Sequence, residues 1–214
     1  GLEDFMEDLL TGKPSIDASQ GIPLLEREEH DHEDHEDHED HEDHDGHAHE
    51  LDPHIWLSPE NAKIMAQNIC LGLTRQYPQW ETVFKDNLQG LLARLDTLEQ
   101  YGEEALSNLA CRELLTFHDG FSYFAKAFDL DILAALEEES GSEASAKDLI
   151  GLIRLARAHA LPAVFVEKNG SASAADILCR ETGTKKATLD MAMAGDSYFD
   201  AMYHNIVTIK EALG

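Results

Sequence analysis

Positive charge is scarce in this sequence. Its 214 residues include 16 lysines and arginines against 43 aspartates and glutamates, which gives a formal net charge of −27. A surface of this sign repels the phosphates of nucleic acid and of anionic lipid, which argues against both as partners, and it attracts cations. The excess is concentrated, because residues 26–52 contain 15 acidic residues and one arginine and so carry −14, while the other 187 residues carry −13.

Long apolar runs, paired cysteines and enzyme signatures are also missing. No apolar stretch approaches the roughly 20 residues that cross a bilayer, and no signal peptide is present. Because the sequence starts at Gly1, at what looks like the beginning of a helix, we expect its natural N-terminus to lie upstream. Cys70, Cys111 and Cys179 have no CxxC spacing and lie among apolar residues, which favours buried structural thiols over a metal or redox site.

The first third of the chain predicts helices and a loop. Hydrophobic residues make up 43% of the sequence, enough for a packed core. A short helix and a loop are predicted over 1–25, a low-complexity loop over 26–51, and a helix with a Ser-Pro start over 58–76. After Pro78, apolar residues recur three or four apart as far as Leu109, which predicts a second helix of about 30 residues and about 45 Å. Such a length predicts a rod between two lobes.

From residue 112 onward, strand and helix patterns alternate four times. Strands are predicted at 113–117, 130–136, 163–166 and 186–189, and helices at 121–128, 146–159, 172–182 and 198–213. This alternation predicts a parallel, doubly wound α/β lobe. The chain is therefore expected to divide into a partial N-terminal lobe (1–78), a linker helix (79–110) and a C-terminal α/β lobe (111–214).

Eight of the twelve histidines lie in one acidic tract with a period of three. Each residue of an α-helix turns by about 100°, so this period would wind the histidines around the axis and form no face. With nothing apolar to bury, the tract is predicted to be a disordered loop. Imidazole together with carboxylate suits Zn²⁺, and also Ni²⁺ or Cu²⁺. The predicted auxiliary ligands are His30, His32, His35, His38, His41, His44, His47 and His49.

A second, ordered metal site is predicted outside the tract. His54 stands in Asp-Pro-His-Ile-Trp, where Pro53 restricts the backbone. His118 directly follows the first predicted strand of the α/β lobe, and Asp190 directly follows the fourth. Ligands bind beyond the carboxyl ends of parallel strands, and two imidazoles with a carboxylate supply three of the four ligands that zinc commonly takes. Each residue alone would more often serve as a cap or a hydrogen-bonding group, but the three together, beside the histidine tract, favour a metal site.

Three other polar residues favour structural roles. Glu167 also lies at a predicted strand end, where we expect it to form an ion pair. His159 and His204 lie on predicted helices and are expected to be surface or packing residues.

Several segments together resemble a known family. They are DPHIWLSP at 52–59, FHDGFSYF at 117–124, SAKDL at 145–149, VFVE at 164–167, and Asp190 followed by GDSY at 195–198. They resemble the zinc-binding receptors of ABC-type importers, the ZnuA-like proteins, which are related to manganese-binding adhesin lipoproteins. The likeness runs through essentially the whole chain and includes the His-rich insertion before DPHIW.

The resemblance implies a fold and a ligand set. It implies two Rossmann-like α/β lobes joined by a long rigid helix, with metal bound in the cleft between them by His54, His118 and Asp190. It also implies a further histidine from a part of the N-terminal lobe that precedes Gly1, so the N-terminal lobe is expected to be incomplete here.

The resemblance further implies an extracytoplasmic receptor, periplasmic or lipid-anchored, that captures Zn²⁺ and delivers it to the membrane subunits of an ABC permease. It is expected to be monomeric and not an enzyme. His118 favours zinc, since manganese-binding relatives tend to offer a carboxylate there. Two alternatives stay open: a manganese or iron receptor of the same fold, and a metal-sequestering protein that uses only the tract. A zinc hydrolase, with Glu167 or Asp119 as general base, has no HExxH or comparable motif to support it.

Overall fold

The computed structural model describes residues 11–26, 51–136, 145–193 and 197–214. The histidine tract and the helix predicted at the start of the chain lie outside these residues. The described helices are α1 (Pro59–Gln76), α2 (Glu81–Leu106), α3 (Ser122–Ala127), α4 (Ala146–Ala158), α5 (Ser173–Thr182) and α6 (Tyr198–Leu213), with short 3₁₀ helices at Ile55–Leu57 and Pro78–Trp80. The strands are β1 (Glu113–Thr116), β2 (Asp131–Ala135), β3 (Ala163–Glu167) and β4 (Lys185–Leu189).

The four strands form one parallel sheet in the order β2-β1-β3-β4. The chain moves outward from β1 to β2, then returns to the other side of β1 and moves outward through β3 to β4. The order therefore reverses between β1 and β3, which is the point where open α/β sheets bind ligands. The α/β class with a parallel sheet, predicted from the alternating pattern, is confirmed.

Helices cover both faces of the sheet, which is why the central strands carry buried apolar side chains on both faces. In β3, Phe165 faces a core formed with α2, α3 and α6, while Val164 and Val166 face a second core formed with α4 and α5. All three side chains are buried. Burial on both faces fixes the register of β3, because a slip of one residue would exchange the two faces.

The long helix α2 packs on both the segment before it and the α/β part after it. It has 26 residues, about 39 Å at 1.5 Å per residue, and is shorter than predicted at both ends, since a 3₁₀ turn precedes it and it ends at Leu106. Lys63 of α1 pairs with Asp96 and Glu99 of α2, at 2.6 Å each. On the other side, Arg94 of α2 lies 3.9 Å above the ring of Phe199 in α6. These contacts agree with a linker role, although the division into lobes stays a prediction.

The predicted boundaries of the α/β elements agree with the structure to within one residue, since local caps set them. The side chain of Ser145 accepts a hydrogen bond from the Asp148 amide at 3.1 Å and donates one to the Asp148 carboxylate at 2.6 Å. The first of these bonds is the serine N-cap that the Ser-Ala-Lys-Asp spacing predicts. Ser58 and Ser197 cap α1 and α6 in the same way.

The three cysteines are free thiols, and each is partly rather than fully buried. The expectation of complete burial was therefore too strong. Within the part of the chain that the structure describes, no helix is both long enough and apolar enough to cross a membrane.

Candidate metal centre

A tight turn over Asp52, Pro53 and His54 positions the first histidine. One oxygen of Asp52, Oδ1, accepts two hydrogen bonds from His54: from the backbone amide at 2.9 Å and from ring Nδ1 at 2.7 Å. Asp52 is 1% exposed and His54 is 5% exposed. Pro53 favours the turn by fixing its own φ and restricting the residue before it. Both the backbone and the ring of His54 are thus held by one carboxylate.

The Asp52 carboxylate decides which nitrogen of His54 can bind a cation. As an acceptor, it holds the proton on Nδ1 and leaves the lone pair on Nε2 free, which is the arrangement of carboxylate-supported histidine ligands in zinc proteins. Its second oxygen, Oδ2, is buried and has no hydrogen-bond partner within the described chain. The negative charge of this buried carboxylate behind the ring favours a positive charge in front of it.

His118 presents its own Nε2 to that lone pair. It follows β1 directly, and its Nε2 lies 3.4 Å from Nε2 of His54, with ring centroids 5.2 Å apart. Two nitrogens at about 2.05 Å from a tetrahedral Zn²⁺ are separated by about 3.3 Å. The two nitrogens therefore stand at the separation that one zinc ion requires, and a shared proton is the alternative occupant of the gap.

The absence of a side chain at Gly120 makes room for the His118 ring. A Cβ added at Gly120 would lie 2.7 Å from Nε2 and Cδ2 of His118 and 2.7 Å from Cε of Met191. These distances are shorter than van der Waals contact allows. Any side chain here would push the ring of His118 or the Met191 side chain aside, so Gly120 is required by the site and not only by the turn.

Glu167 stands behind His118, at the end of β3 and across the point where the strand order reverses. Its Oε2 lies 3.7 Å from Nδ1 of His118, close enough for a charge interaction but too long for a good hydrogen bond. The two histidines therefore each have a carboxylate near Nδ1. This contact is an ion pair only when the His118 ring is protonated, so the ion-pairing role of Glu167 stays a prediction.

Asp190 is held in place by partners other than the two histidines. Both its backbone N–H and its C=O are bonded to the buried side chain of Asn205 in α6, at 2.7 and 2.8 Å. Its Oδ1 accepts from the Ala192 amide at 2.9 Å, and its Oδ2 accepts from Lys168 Nζ at 2.9 Å. Burial alone would raise the pKa of Asp190, but the Lys168 ammonium and the Ala192 amide outweigh it and hold the pKa below its ordinary value.

The structure thus brings together two of the three predicted ligands. His54 and His118 face each other, whereas no three metal-binding side chains cluster anywhere in the described residues. Asp190 is connected to the pair through its neighbour Met191, whose side chain reaches Gly120 beside the His118 ring. Its carboxylate belongs to the same end of the sheet but is engaged by Lys168.

An indole and a phenol fasten the His54 segment to the C-terminal part of the chain. Trp56 Nε1 donates to the carbonyl of Met191 at 2.8 Å, and the hydroxyl of Tyr198 donates to the carbonyl of Trp56 at 3.0 Å. Burial raises the pKa of Tyr198, so this hydroxyl stays protonated as a donor. These bonds hold the segment that carries His54 against Met191 and Tyr198, near the end of the sheet where His118 lies.

The base of the histidine tract lies beside this site. Glu26 and Leu51 form an antiparallel bridge, and the Asp52 amide donates to the Leu25 carbonyl at 2.9 Å. The Tyr123 hydroxyl ties both strands together, accepting from the Leu25 amide at 2.9 Å and donating to the Asp52 carbonyl at 3.3 Å. The described residues that flank the tract, Glu26 and Leu51, are therefore held together next to Asp52. The eight tract histidines themselves lie outside the described residues.

The two remaining histidines have ordinary partners, as the sequence indicated. His159 Nδ1 lies 3.0 Å from a carboxylate oxygen of Glu113, and His204 Nε2 lies 3.0 Å from the carbonyl of Thr188. Sequence reasoning missed the roles of Asp52 and Lys168. Asp52 carried a signal, because Asp-Pro-His is a spacing at which an aspartate can bond to the amide two residues on.

Comparison with known proteins agrees with this geometry. The family model described as zinc-uptake complex component A, periplasmic (ZnuA), matches residues 1–212. The high-affinity zinc uptake system protein ZnuA of Bacillus subtilis (strain 168) is 32% identical over 208 residues, covering 92% of this chain and 63% of that protein. The zinc-binding lipoprotein AdcA of Streptococcus pneumoniae is 28% identical over 171 residues, 76% of this chain and 34% of that protein.

Solved structures show the same fold. A crystal structure of ZnuA superposes with a TM-score of 0.78 at 31% identity, covering 93% of this chain and 70% of that one. A zinc-bound deletion mutant of ZnuA gives 0.80 at 29% identity, covering 100% and 76%. The protein FpvC of P. aeruginosa, solved with Ni²⁺, gives 0.78 at 23% identity, covering 100% and 75%, and is similar in fold alone.

The family match spans nearly the whole chain, whereas the chain spans less than two thirds of the Bacillus subtilis relative. Members of this family are solute-binding transport proteins rather than enzymes, so the hydrolase interpretation loses its support. This chain belongs to the ZnuA family, the periplasmic component A of zinc-uptake complexes.

Proposed function

We propose that this chain forms the metal-receiving part of an extracytoplasmic receptor that captures Zn²⁺ and delivers it to an ABC permease. The observation that carries the proposal is the pair of Nε2 atoms of His54 and His118, 3.4 Å apart. Zinc is the cargo of such a receptor. His54 and His118 would bind it directly, with Asp190 as a third ligand.

The choice of zinc follows from the donor types. Two imidazoles suit Zn²⁺ better than Mn²⁺, which prefers oxygen ligands. Imidazole also suits nickel, and a protein of this fold has been solved with Ni²⁺, so the fold alone does not select the metal. The zinc-uptake names of the relatives favour zinc over nickel for this chain.

The histidine tract would raise the local concentration of zinc beside the site. Its ends are pinned together at Glu26 and Leu51, close to His54. A tethered ligand set increases the chance that a captured ion transfers within the molecule. The ordered pair should hold the ion more tightly, because preformed ligands lose less entropy on binding. A protein that only sequesters metal would have no need of the ordered pair.

The partners and location follow from the same proposal. The receptor would dock on the membrane subunits of an ABC permease, work as a monomer, and lie in the periplasm or be lipid-anchored at the cell surface. The lobe division at 1–78, 79–110 and 111–214 would place His54 and His118 on opposite sides of a cleft.

The test is zinc affinity, measured by competition with a chromogenic chelator on the purified full-length protein. His54→Ala and His118→Ala should each abolish the tightest site. The matched controls His159→Ala and His204→Ala remove histidines that have other partners, one directly after α4 and one in α6, and they should leave that site unchanged. If all four variants kept the tight site, the ordered centre would be wrong and the tract would be the only binding element. A tight preference for Mn²⁺ over Zn²⁺ in the wild type would favour the manganese receptor.

A further inference from the structure

Lys168 and Asp190 lie next to each other at the end of the sheet that holds the histidine pair. The Lys168 amide donates to the Leu189 carbonyl at 2.8 Å, continuing the pairing of β3 with β4. The two residues that follow these strands are therefore neighbours, and Lys168 Nζ reaches Asp190 Oδ2 at 2.9 Å. Lys168 comes directly after Glu167, which contacts His118.

The carboxylate cannot easily move away from this lysine. The Asn205 side chain, which is fully buried, fixes the backbone of Asp190 on both sides of its α-carbon. The Ala192 amide holds the other carboxylate oxygen, Oδ1. The Lys168 side chain is 40% exposed, whereas that of Asp190 is 6% exposed. Of the two partners, the lysine is therefore the one that lies closer to solvent.

A metal ion and an ammonium group compete for the same carboxylate. If Asp190 binds zinc next to the two histidines, a positive charge on Oδ2 would face the doubly charged ion at short range, which is unfavourable. A lysine on a flexible four-carbon stem can withdraw into solvent. The empty and loaded states would then differ in the partner of Asp190.

We propose that Lys168 is a competitor for the metal: it neutralises Asp190 in the empty receptor, must be displaced when Asp190 joins the ion, and so lowers the affinity of the site. This inference rests on the proposed function, in which Asp190 is the third ligand. A receptor must release its cargo to a permease, and an internal cation that returns to Asp190 stabilises the empty state and favours release. Lys168 is thus an affinity-setting residue that does not itself touch the metal.

The test compares zinc affinity in full-length wild type, Lys168→Met, Asp190→Asn and the double variant, by chelator competition. Methionine keeps most of the aliphatic stem of lysine and removes its charge. Lys168→Met should tighten zinc binding by about tenfold, because a charged hydrogen bond no longer competes. In the Asp190→Asn background the same change should have no effect. Lys186→Met is the matched control, because Lys186 lies at the end of β4 remote from Asp190 and pairs with Asp176 of α5, and it should leave affinity unchanged.

A second readout follows Asp190 directly. The ¹³C signal of its carboxylate is assigned by comparison with Asp190→Asn and should move when zinc is added to the wild type. In the empty proteins, the signals of wild type and Lys168→Met should differ, because only the wild type has the lysine contact. In the zinc-loaded proteins, the two signals should be more alike. Lys168→Gln provides a second neutral variant in case Lys168→Met folds poorly. Unchanged or weaker zinc binding in both neutral variants would overturn the proposal, as would a tightening that persists without Asp190. If His54→Ala and His118→Ala both kept the tight site, the proposed function itself would be refuted.

Discussion

Replacing Asp52 with asparagine tests whether one buried carboxylate sets the affinity of the centre. Asparagine keeps the shape and an oxygen that can accept from the His54 amide. It loses the negative charge that faces ring Nδ1 at 2.7 Å and the unshared oxygen Oδ2. The ring can then rotate or change tautomer, and Nε2 becomes a poorer ligand.

The expected loss follows from the effect of such supporting carboxylates in metal sites. Removing one typically lowers metal affinity by about 10- to 100-fold, which corresponds to about 1.4–2.7 kcal/mol. The burial of Asp52, which is 1% exposed, places this protein toward the upper end of that range, since solvent does not screen the interaction.

The assay is zinc affinity by chelator competition, with the melting temperature of the metal-free protein measured alongside. Asp17→Asn is the matched control, because Asp17 makes the same kind of turn by accepting from Ser19 but is exposed. A double-mutant cycle with His54→Ala separates positioning from general electrostatics. The reasoning is refuted if Asp52→Asn binds zinc as tightly as wild type, or if it costs as much affinity without His54 as with it.

Three further outcomes are expected. Gly120→Ala should weaken zinc binding by about tenfold by displacing the ring of His118. The control Gly90→Ala should not, because a Cβ at this position meets no atom within 4 Å. Equal zinc affinities of the two variants in calorimetry would contradict this. Deleting residues 30–49 should lower zinc stoichiometry and leave one tight site, and a deletion that removes all binding would favour a sequestering tract. Asp190→Asn should destabilise the metal-free protein by about 1–2 kcal/mol at pH 7. The pKa of Asp190 is lowered in the folded protein. Its contribution to the free energy of unfolding is therefore fully present above the pKa of the unfolded chain, about 3.9, and is lost as pH falls through the folded pKa. Urea titrations in which the stability difference between wild type and Asp190→Asn grows toward low pH would contradict the assignment.

The α/β part of the fold could be predicted because its local signals agree with one another. Serine caps begin α1, α4 and α6 at the positions where apolar periodicity starts. The strands are short apolar runs between these helices, so their number and direction follow from the pattern. The order of the strands did not follow, because it depends on which side of β1 the chain returns to after β2.

The two histidines that the structure brings together could be selected from the sequence for the same reason, although their role as ligands stays a prediction. His54 and His118 each stand next to a local marker, a proline and a strand end, so their candidacy needed no long-range information. The contact between Lys168 and Asp190 exists only because β3 and β4 are neighbours in the sheet. The sequence alone could not predict this contact, because the two residues are 22 positions apart. The bridge between Glu26 and Leu51, which places the tract beside the site, is likewise a tertiary contact.

The central claim is that one zinc ion lies between His54 and His118, and zinc X-ray absorption tests it most directly. The sample is full-length protein lacking residues 30–49, loaded with one equivalent of zinc, so that the tract contributes no imidazole. His118→Ala should reduce the number of imidazole ligands by one, and the control His159→Ala should leave the number unchanged. If the spectrum of His118→Ala showed the same imidazole count as the parent, the ion would not lie between these two histidines.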